Sequence, residues 1–181
     1  MNGPGILIAS PQMRDMNFSE TIILLWHYSE QGAMGVVLNR GLNVTVGDVL
    51  ERLELDPGDA AAALHDRVLL GGPVENDRGY LLFRGDVPED EGWNLPGGIA
   101  VSTSLSRLET VMTGGGDYLL CLGYSGWSPG QLDKEIETGS WLYTEIDDGL
   151  VFDHPLQERY RNALATLGLT PELVWMTPVD E

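Results

Sequence analysis

Gln131, Glu135 and Trp127 are spaced so that an amide, a carboxylate and an indole could come together. If residues 128–138 form a helix, Gln131 and Glu135 lie one turn apart, at the edge of the face that carries Leu132. A carboxylate held there, beside a tryptophan, could act as a general base or orient a ligand. The plainer interpretation is that Glu135 ties the helix to a neighbouring loop through hydrogen bonds. The sequence leaves both interpretations open.

The helix itself is indicated by local signals. Ser128, Pro129 and Gln131 have the spacing of an S-x-x-Q capping box with proline in the first helical position. Trp127 precedes the box, where it can pack on the helix, and Gly139 supplies the residue that ends it. We therefore expect a strand, a sharp turn and a short helix in this segment.

Further polar and aromatic residues fall at the ends of predicted strands, outside the apolar stripes of a core. Irregular segments of this composition commonly line a ligand groove, but such side chains also satisfy the amides of their own loops. Both readings stay open at this point. The candidate groove residues are Asp15, Phe18, Asn39, Arg40, Gly72, Pro73, Arg78, Trp127, Gln131 and Glu135.

Other kinds of catalytic or metal site are weakly supported. Cys121 lies within the apolar run YLLCLG, which predicts a buried and inert thiol. Ser125 in GYSGW lacks the final glycine of a nucleophile elbow. His27, His65 and His154 have no second histidine or cysteine at ligand spacing. We expect no metal ion and no cofactor.

The charge narrows the range of partners. Lys and Arg number 10 against 28 Asp and Glu, giving a formal net charge of −18. Phosphate backbones and anionic membranes attract clustered cations, and here the basic residues are scattered singly. The N-terminal segment has no basic stretch before an apolar run, as a signal peptide would. We expect a cytoplasmic protein that binds an unknown small molecule or protein, without nucleic acid or membrane as a partner.

Short apolar runs separated by turn residues indicate hairpins more than regular strand–helix alternation. Thr45, with Asp48 three residues later, predicts a capped helix, and Pro155 predicts the start of another. Residues 71–79 are expected to form a loop, and 149–152 a strand. The pattern favours one α+β domain over residues 1–181, with a mixed, largely antiparallel sheet and flanking helices.

The chain resembles the AlgH/YqgE family of uncharacterised bacterial proteins over nearly its whole length. The resemblance implies a bifurcated sheet curled into a pseudo-barrel, and a family named after a proposed transcriptional regulator of alginate biosynthesis. Gly41, Asp133 and Tyr160 stand where members often have Pro, Glu and Trp. The stretches that carry the resemblance are GILIASPQMRDMNF, EQGAMGVVLNR, GGPVENDRG, LGYSGWSPGQLDKEI and WLYTEIDDGLVF.

Two functions follow as hypotheses. The first is a binding or regulatory protein whose groove lies near Trp127, Gln131, Glu135 and Asn39. The alternative is an enzyme in which Glu135 is the general base and Arg78 or Asn39 positions an anionic or amide group. An exposed strand edge would also permit a homodimer.

Overall fold

The computed structural model describes residues 3–55, 66–114 and 116–170, and its fold is built mainly of strands. Apolar, β-branched and aromatic runs form most of these strands, as their composition favours. The strands are β1 (Gly5–Ala9), β2 (Ile22–Ser29), β3 (Gly32–Val37), β4 (Gly41–Thr45), β5 (Arg67–Leu70), β6 (Val74–Arg84), β7 (Gly92–Leu95), β8 (Ile99–Ser102), β9 (Tyr118–Trp127) and β10 (Trp141–Thr144).

The helices are short and lie between or beside the strands. Two of the α-helices are each preceded by a single 3₁₀ turn, one at Leu105–Arg107 and the other at Leu156–Glu158. The α-helices are α1 (Val46–Arg52), α2 (Leu108–Thr113), α3 (Gln131–Glu137), α4 (Asp148–Phe152) and α5 (Arg159–Thr166). None of the helices in these ranges is long and apolar enough to span a membrane.

The strands join in one sheet in the order β10-β1-β2-β3-β9-β6-β8-β7, with β5 added beside β9 and β4 beside β5. Within the described chain, β5 and β9 form the parallel pair and the other pairs are antiparallel. The sheet curls into a half-barrel. The predicted fold class, a mixed and largely antiparallel curled sheet with helices, is confirmed.

The sheet branches along one edge of β9. Cys121 of β9 pairs with Leu69 of β5, whereas Trp127 pairs with Ala33 of β3. Gly71 bridges the branch, because its N–H donates to Leu122 O and its carbonyl accepts from Val37 N, both at 2.8 Å. The end of β9 beyond the branch leads directly into α3.

Both faces of the branched sheet are covered by apolar side chains. On β6, Leu82 belongs to the main core with the strands of the first half, and Leu81 to a second core. On β9, Cys121 belongs to the main core and Leu120 to the second core. Successive side chains of these strands point to opposite faces of the sheet. Because both faces are buried, the strands appear in the sequence as unbroken apolar runs.

Several predicted elements have their expected bounds. Strands β1, β5 and β10 begin and end where the apolar runs do. Thr45 caps α1 with the full capping box, since its side chain accepts from Asp48 N and its own N–H donates to the Asp48 carboxylate. Gly168, at φ +73°, ends the C-terminal helix as predicted.

Other expectations were wrong. Residues 149–152 form a helix instead of a strand, because Asp147 caps Gly149 N and the turn buries both Leu150 and Val151. Residues 74–79 lie in β6 instead of a loop, because pairing with β9 continues to Val74. Pro155 precedes a 3₁₀ turn, so the helix starts later than predicted. Strands β4 and β7 were not predicted.

Candidate functional site

The Glu135 carboxylate joins three elements. Its Oε1 accepts hydrogen bonds from Trp127 Nε1 at 3.2 Å and from Trp141 Nε1 at 3.0 Å. Its Oε2 accepts from Gln131 Nε2 at 2.8 Å, one helical turn away. Because Trp127 ends β9 and Trp141 begins β10, the carboxylate fixes both strands to α3.

Aromatic rings cover this carboxylate on the core side. The Trp127 and Trp141 side chains are 6% and 1% exposed, and their rings meet edge to face with centroids 6.0 Å apart. Phe18 stacks on Trp127 at 6.1 Å and meets Trp141 edge-on at 5.6 Å. We call Phe18, Trp127, Gln131, Glu135 and Trp141 the anchor cluster.

Gln131 also shapes the turn before α3. Its Oε1 accepts from Ser128 N at 3.0 Å and from Ser128 Oγ at 3.2 Å, which is one half of the predicted capping box. In the other half of a capping box, the Gln131 N–H would donate to the Ser128 hydroxyl. Here the Gln131 N–H donates to the Ser128 carbonyl oxygen instead. Gly130, at φ +77°, takes the left-handed conformation before the first helical residue. The helix therefore begins at Gln131, two residues later than Pro129.

Three candidate residues from the N-terminal half fold the loop that presents Phe18. Asp15 turns the loop by accepting from Asn17 N at its side chain and from Phe18 N at its carbonyl. Asn39 Oδ1 accepts from Ile22 N at 3.0 Å, and Asn39 Nδ2 donates to Glu20 O at 2.8 Å. Arg40 donates to Ser19 O at 2.9 Å.

The structure therefore brings seven of the ten candidate residues into one connected region. Asp15, Asn39 and Arg40 hold the loop by hydrogen bonds, and Phe18 carries that loop onto the anchor cluster. Most of the polar groups named here are bonded to other groups of this chain. The sequence-based expectation that loop polar residues satisfy loop amides describes Asp15, Asn39 and Arg40 well.

Gly72, Pro73 and Arg78 lie in a second region, along the β5–β6 side of β9. A Cβ on Gly72 would come within 2.2 Å of the Tyr124 backbone, so this glycine permits a close approach. Pro73 is exposed. Arg78 pairs with Glu75 at 3.3 Å and lies over the Tyr80 ring at 5.8 Å. Within the described residues, no recorded bond or ring contact joins these three to the anchor cluster.

The residues considered for nucleophilic or metal chemistry are placed as follows. Cys121 is fully buried, and burial raises the pKa of its thiol to about 12. Ser125 is buried, and its hydroxyl donates to Gly71 O at 3.1 Å. His65 lies outside the described residues. In the described ranges no group of three or more His, Cys, Asp or Glu side chains is arranged to hold a metal ion.

Two contributors to the site were missed in the sequence. Trp141 was assigned only to a strand, although Gly139 ends α3 and the reversal returns the next tryptophan to Glu135. Arg159 is buried, and its guanidinium donates to His154 O and to the carbonyl of Leu38, the residue before Asn39. Nothing local to Arg159 predicts this contact, because it depends on how α5 packs on the sheet.

Two cavities flank α3. One, of about 210 Å³, lies between the loop at Ser10–Arg14 and the α3–β10 turn at residues 138–140. The other, of about 280 Å³, is lined by Tyr28, Tyr143 and three residues of α3, one of which is Asp133. The Tyr28 hydroxyl donates to the Asp133 carboxylate, and burial raises the pKa of that phenol.

The branched, curled half-barrel defines an α+β class of protein in which α3 is fastened beside the end of the central strand. Comparison with known proteins identifies the family. Residues 6–172 match the family model described as DUF179, AlgH-like. The chain belongs to this AlgH-like family.

Relatives and solved structures agree with the family assignment. A UPF0301 protein of Anaeromyxobacter sp. (strain K) is 38% identical over 175 residues, covering 93% of this chain and 89% of that protein. A UPF0301 protein of Paraburkholderia phytofirmans is 40% identical over 170 residues, covering 90% and 86%. The solution structure of the AlgH protein from Pseudomonas aeruginosa matches with a TM-score of 0.77 and 37% identity, covering 98% and 95%. A crystal structure from Corynebacterium diphtheriae, 21% identical, has the same fold with a TM-score of 0.73, covering 98% and 93%.

Proposed function

We propose that this protein is a non-enzymatic binding or regulatory protein that receives its partner on the surface around α3. The observation that carries the proposal is the bonding of Glu135, whose two oxygens accept three N–H groups of the chain itself. A general base needs a lone pair directed at a proton of its substrate. The bonding of Glu135 therefore favours an anchoring role over the alternative of carboxylate acid–base catalysis.

The surface next to the anchor cluster offers unused donors. The cavity of about 210 Å³ is bordered by Gln12 and Arg14, and neither side chain donates a hydrogen bond to another described residue. A free guanidinium and amide beside a cavity suit a carboxylate or a carbonyl oxygen. The volume is below the roughly 300 Å³ at which small-molecule pockets begin. We therefore favour a protein partner that inserts an acidic or amide side chain.

A direct nucleic-acid partner does not fit the charge distribution. Arg84 is ion-paired with Asp117, Asp148 and Asp153, and Arg107 with Glu91. The carboxylates of this chain neutralise both guanidinium groups, so these two arginines are not available to phosphates. Any regulatory role would then act through a protein or small molecule, and we propose that it does so in the cytoplasm. A homodimer through a strand edge stays a prediction.

The test is differential capture from native lysate. Immobilised wild type, Arg14→Ala and Arg52→Ala are compared, and the retained proteins and metabolites are scored by mass spectrometry. Arg52 is an exposed arginine of α1 and serves as the matched control. We expect one or more partners to be retained by wild type and Arg52→Ala and lost from Arg14→Ala. Identical retained sets from all three proteins would contradict the proposal.

A further inference from the structure

An exposed loop with one apolar and one basic side chain lies on one flank of α3. Met16 of this loop is 87% exposed, and Arg14 is exposed with no hydrogen bond or ion pair to another described residue. The loop is ordered, because Asp15 closes its turn and Phe18 stacks on the anchor cluster. Side chains on an ordered loop lose little further freedom on binding, so this loop is suited to contact another protein.

The other flank of α3 carries an acidic cavity, the one of about 280 Å³. Ile136 of α3 and Tyr143 of β10 are its half-buried walls, and Asp133 and Glu137 contribute exposed carboxylates. Asp133 accepts from the Tyr28 hydroxyl, whereas Glu137 has no bond or ion pair within the described part of the chain. Glu137 is therefore the carboxylate that is free to meet a cation.

The size and the walls of this cavity favour a protein side chain as its occupant. Its volume is below the roughly 300 Å³ at which small-molecule pockets begin. A methionine thioether makes favourable contacts with an aromatic ring such as that of Tyr143. A guanidinium forms strong hydrogen bonds with a carboxylate such as that of Glu137. Lys134, the neighbouring cation on α3, is not ion-paired with Glu137 in the described structure.

The two flanks of α3 are complementary to each other. One flank offers Arg14 and Met16, and the other offers Glu137 beside apolar walls. In a symmetric dimer the same surface of both copies forms the interface, so that surface must be complementary to itself. A two-fold axis along α3 places the loop of each copy over the cavity of the other, and every contact then occurs twice.

We propose that the partner received around α3 is a second copy of this chain, in a symmetric dimer. Arg14 of each copy pairs with Glu137 of the other, and Met16 packs against Ile136 and Tyr143. This inference rests on the proposed partner surface and names its occupant. The formal net charge of −18 on each chain opposes association. At about 0.15 M salt the Debye length of about 8 Å screens distant charges more than pairs in contact.

Sedimentation equilibrium at about 0.15 M salt tests the dimer over protein concentrations up to about 1 mM. We expect a reversible monomer–dimer equilibrium with a dissociation constant in the micromolar range. Arg14→Glu and Glu137→Arg each place like charges at both copies of the contact, and each should weaken the dimer at least about tenfold. Arg52→Glu, an exposed change on α1, is the matched control, because it alters the net charge by the same amount as Arg14→Glu. Its dimer should keep an affinity within about threefold of wild type.

Mixing the two charge-reversal variants tests the reciprocal contact itself. In a pair formed by Arg14→Glu and Glu137→Arg, both contacts again join opposite charges. The mixture should therefore form a heterodimer with an affinity within about threefold of wild type, although each variant alone dimerises poorly. Both side chains are exposed, so we expect both variants to fold, and recovery in the mixture requires that they do.

The apolar part of the contact has its own variant. Met16→Ala should weaken the dimer at least about threefold, because apolar surface is no longer buried. Leu53→Ala is the control, since Leu53 is 43% exposed at the end of α1, and it should leave the dimer unchanged.

Three outcomes would overturn the proposal: a wild-type monomer at every concentration, a dimer insensitive to both charge reversals, or a mixture of the two variants that stays monomeric. Failure of the proposed function is a separate result. If the wild type is monomeric and Arg14→Ala still loses another protein from lysate, the partner surface is retained and the second copy is rejected as its occupant.

Discussion

Trp127 and Trp141 donate their indole N–H groups to the same oxygen of Glu135, at 3.2 and 3.0 Å. One tryptophan ends the central strand of the sheet, and the other begins the strand at its far edge. The shared acceptor holds these two strand ends against α3. The same pair supports Phe18, and through it the loop of residues 10–20.

Phe18 should contribute measurably to stability through its two ring contacts. Phe18→Ala removes a half-buried ring from Trp127 and Trp141, and we expect a loss of about 1–3 kcal/mol in the free energy of unfolding. Urea unfolding measures the loss, and near-ultraviolet circular dichroism should report looser tryptophan packing. Met16→Ala in the same loop is the control, because Met16 is 87% exposed. Equal stabilities of the two variants would contradict the expected role.

Asn39 should fix the loop through two separate bonds. Asn39→Ala removes the acceptor of Ile22 N and the donor to Glu20 O. We expect this change to lower the free energy of unfolding by about 1–3 kcal/mol. Asn39→Asp keeps an acceptor for Ile22 N. Amide hydrogen exchange of Ile22 should therefore accelerate in the alanine variant and stay slower in the aspartate variant.

The exposed Asn17 provides the control in the same loop, and Asn17→Ala should leave exchange at Ile22 unchanged. Exchange at Ile22 that is equally slow in wild type and Asn39→Ala would show that the side chain does not hold this amide.

Gly72 should tolerate no side chain. A Cβ there would lie 2.2 Å from the Tyr124 carbonyl and 2.5 Å from Ser125 N, so the β5–β6 connection would have to move away from β9. We expect Gly72→Ala to lose more than about 3 kcal/mol of stability or to fail to fold. Gly116→Ala is the matched control, since no atom of the described residues outside its immediate chain neighbours lies within 4 Å of the Cβ that alanine would add. A Gly72→Ala protein as stable as this control would disprove the close approach.

Cys121 should make stability fall at alkaline pH. Burial raises the pKa of its thiol from 9.0 to about 12 in the folded state. The unfolded thiol ionises first, so this contribution is fully present below pH 9 and is lost as pH rises towards 12. The slope due to one such group is at most about 1.4 kcal/mol per pH unit.

Urea unfolding between pH 8 and pH 10.5 should therefore show a shallower pH dependence for Cys121→Ala than for wild type. Buried tyrosines such as Tyr160, whose pKa burial raises to about 12, contribute equally to both proteins. Parallel curves for the two proteins would mean that Cys121 ionises as readily in the folded state as in the unfolded state.

The sequence predicted those features that depend on neighbouring residues. The apolar runs gave β1 and β10, and the capping box at Thr45 gave α1, because each signal is complete within a few residues. The position of Glu135 at the edge of the core was also predicted correctly, from helical spacing alone.

Features that depend on distant pairing could not be read in this way. Residues 74–79 extend β6 only because β9 lies beside them. Residues 149–152 have strand-like composition, and burial of Leu150 and Val151 with capping by Asp147 outweighs it. The bulge at Trp26 depends on the register of β3, which no local pattern specifies.

The anchoring role of Glu135 is tested most directly by a double-mutant cycle with Trp141. Glu135→Gln and Trp141→Phe each disturb the 3.0 Å bond, and Phe keeps an aromatic ring in place. Urea unfolding of wild type, both single variants and the double variant gives the coupling energy, and we predict at least about 1 kcal/mol. The same cycle with Glu137→Gln, an exposed change on α3, should give no coupling. A Glu135–Trp141 coupling indistinguishable from the Glu137 control would contradict the account.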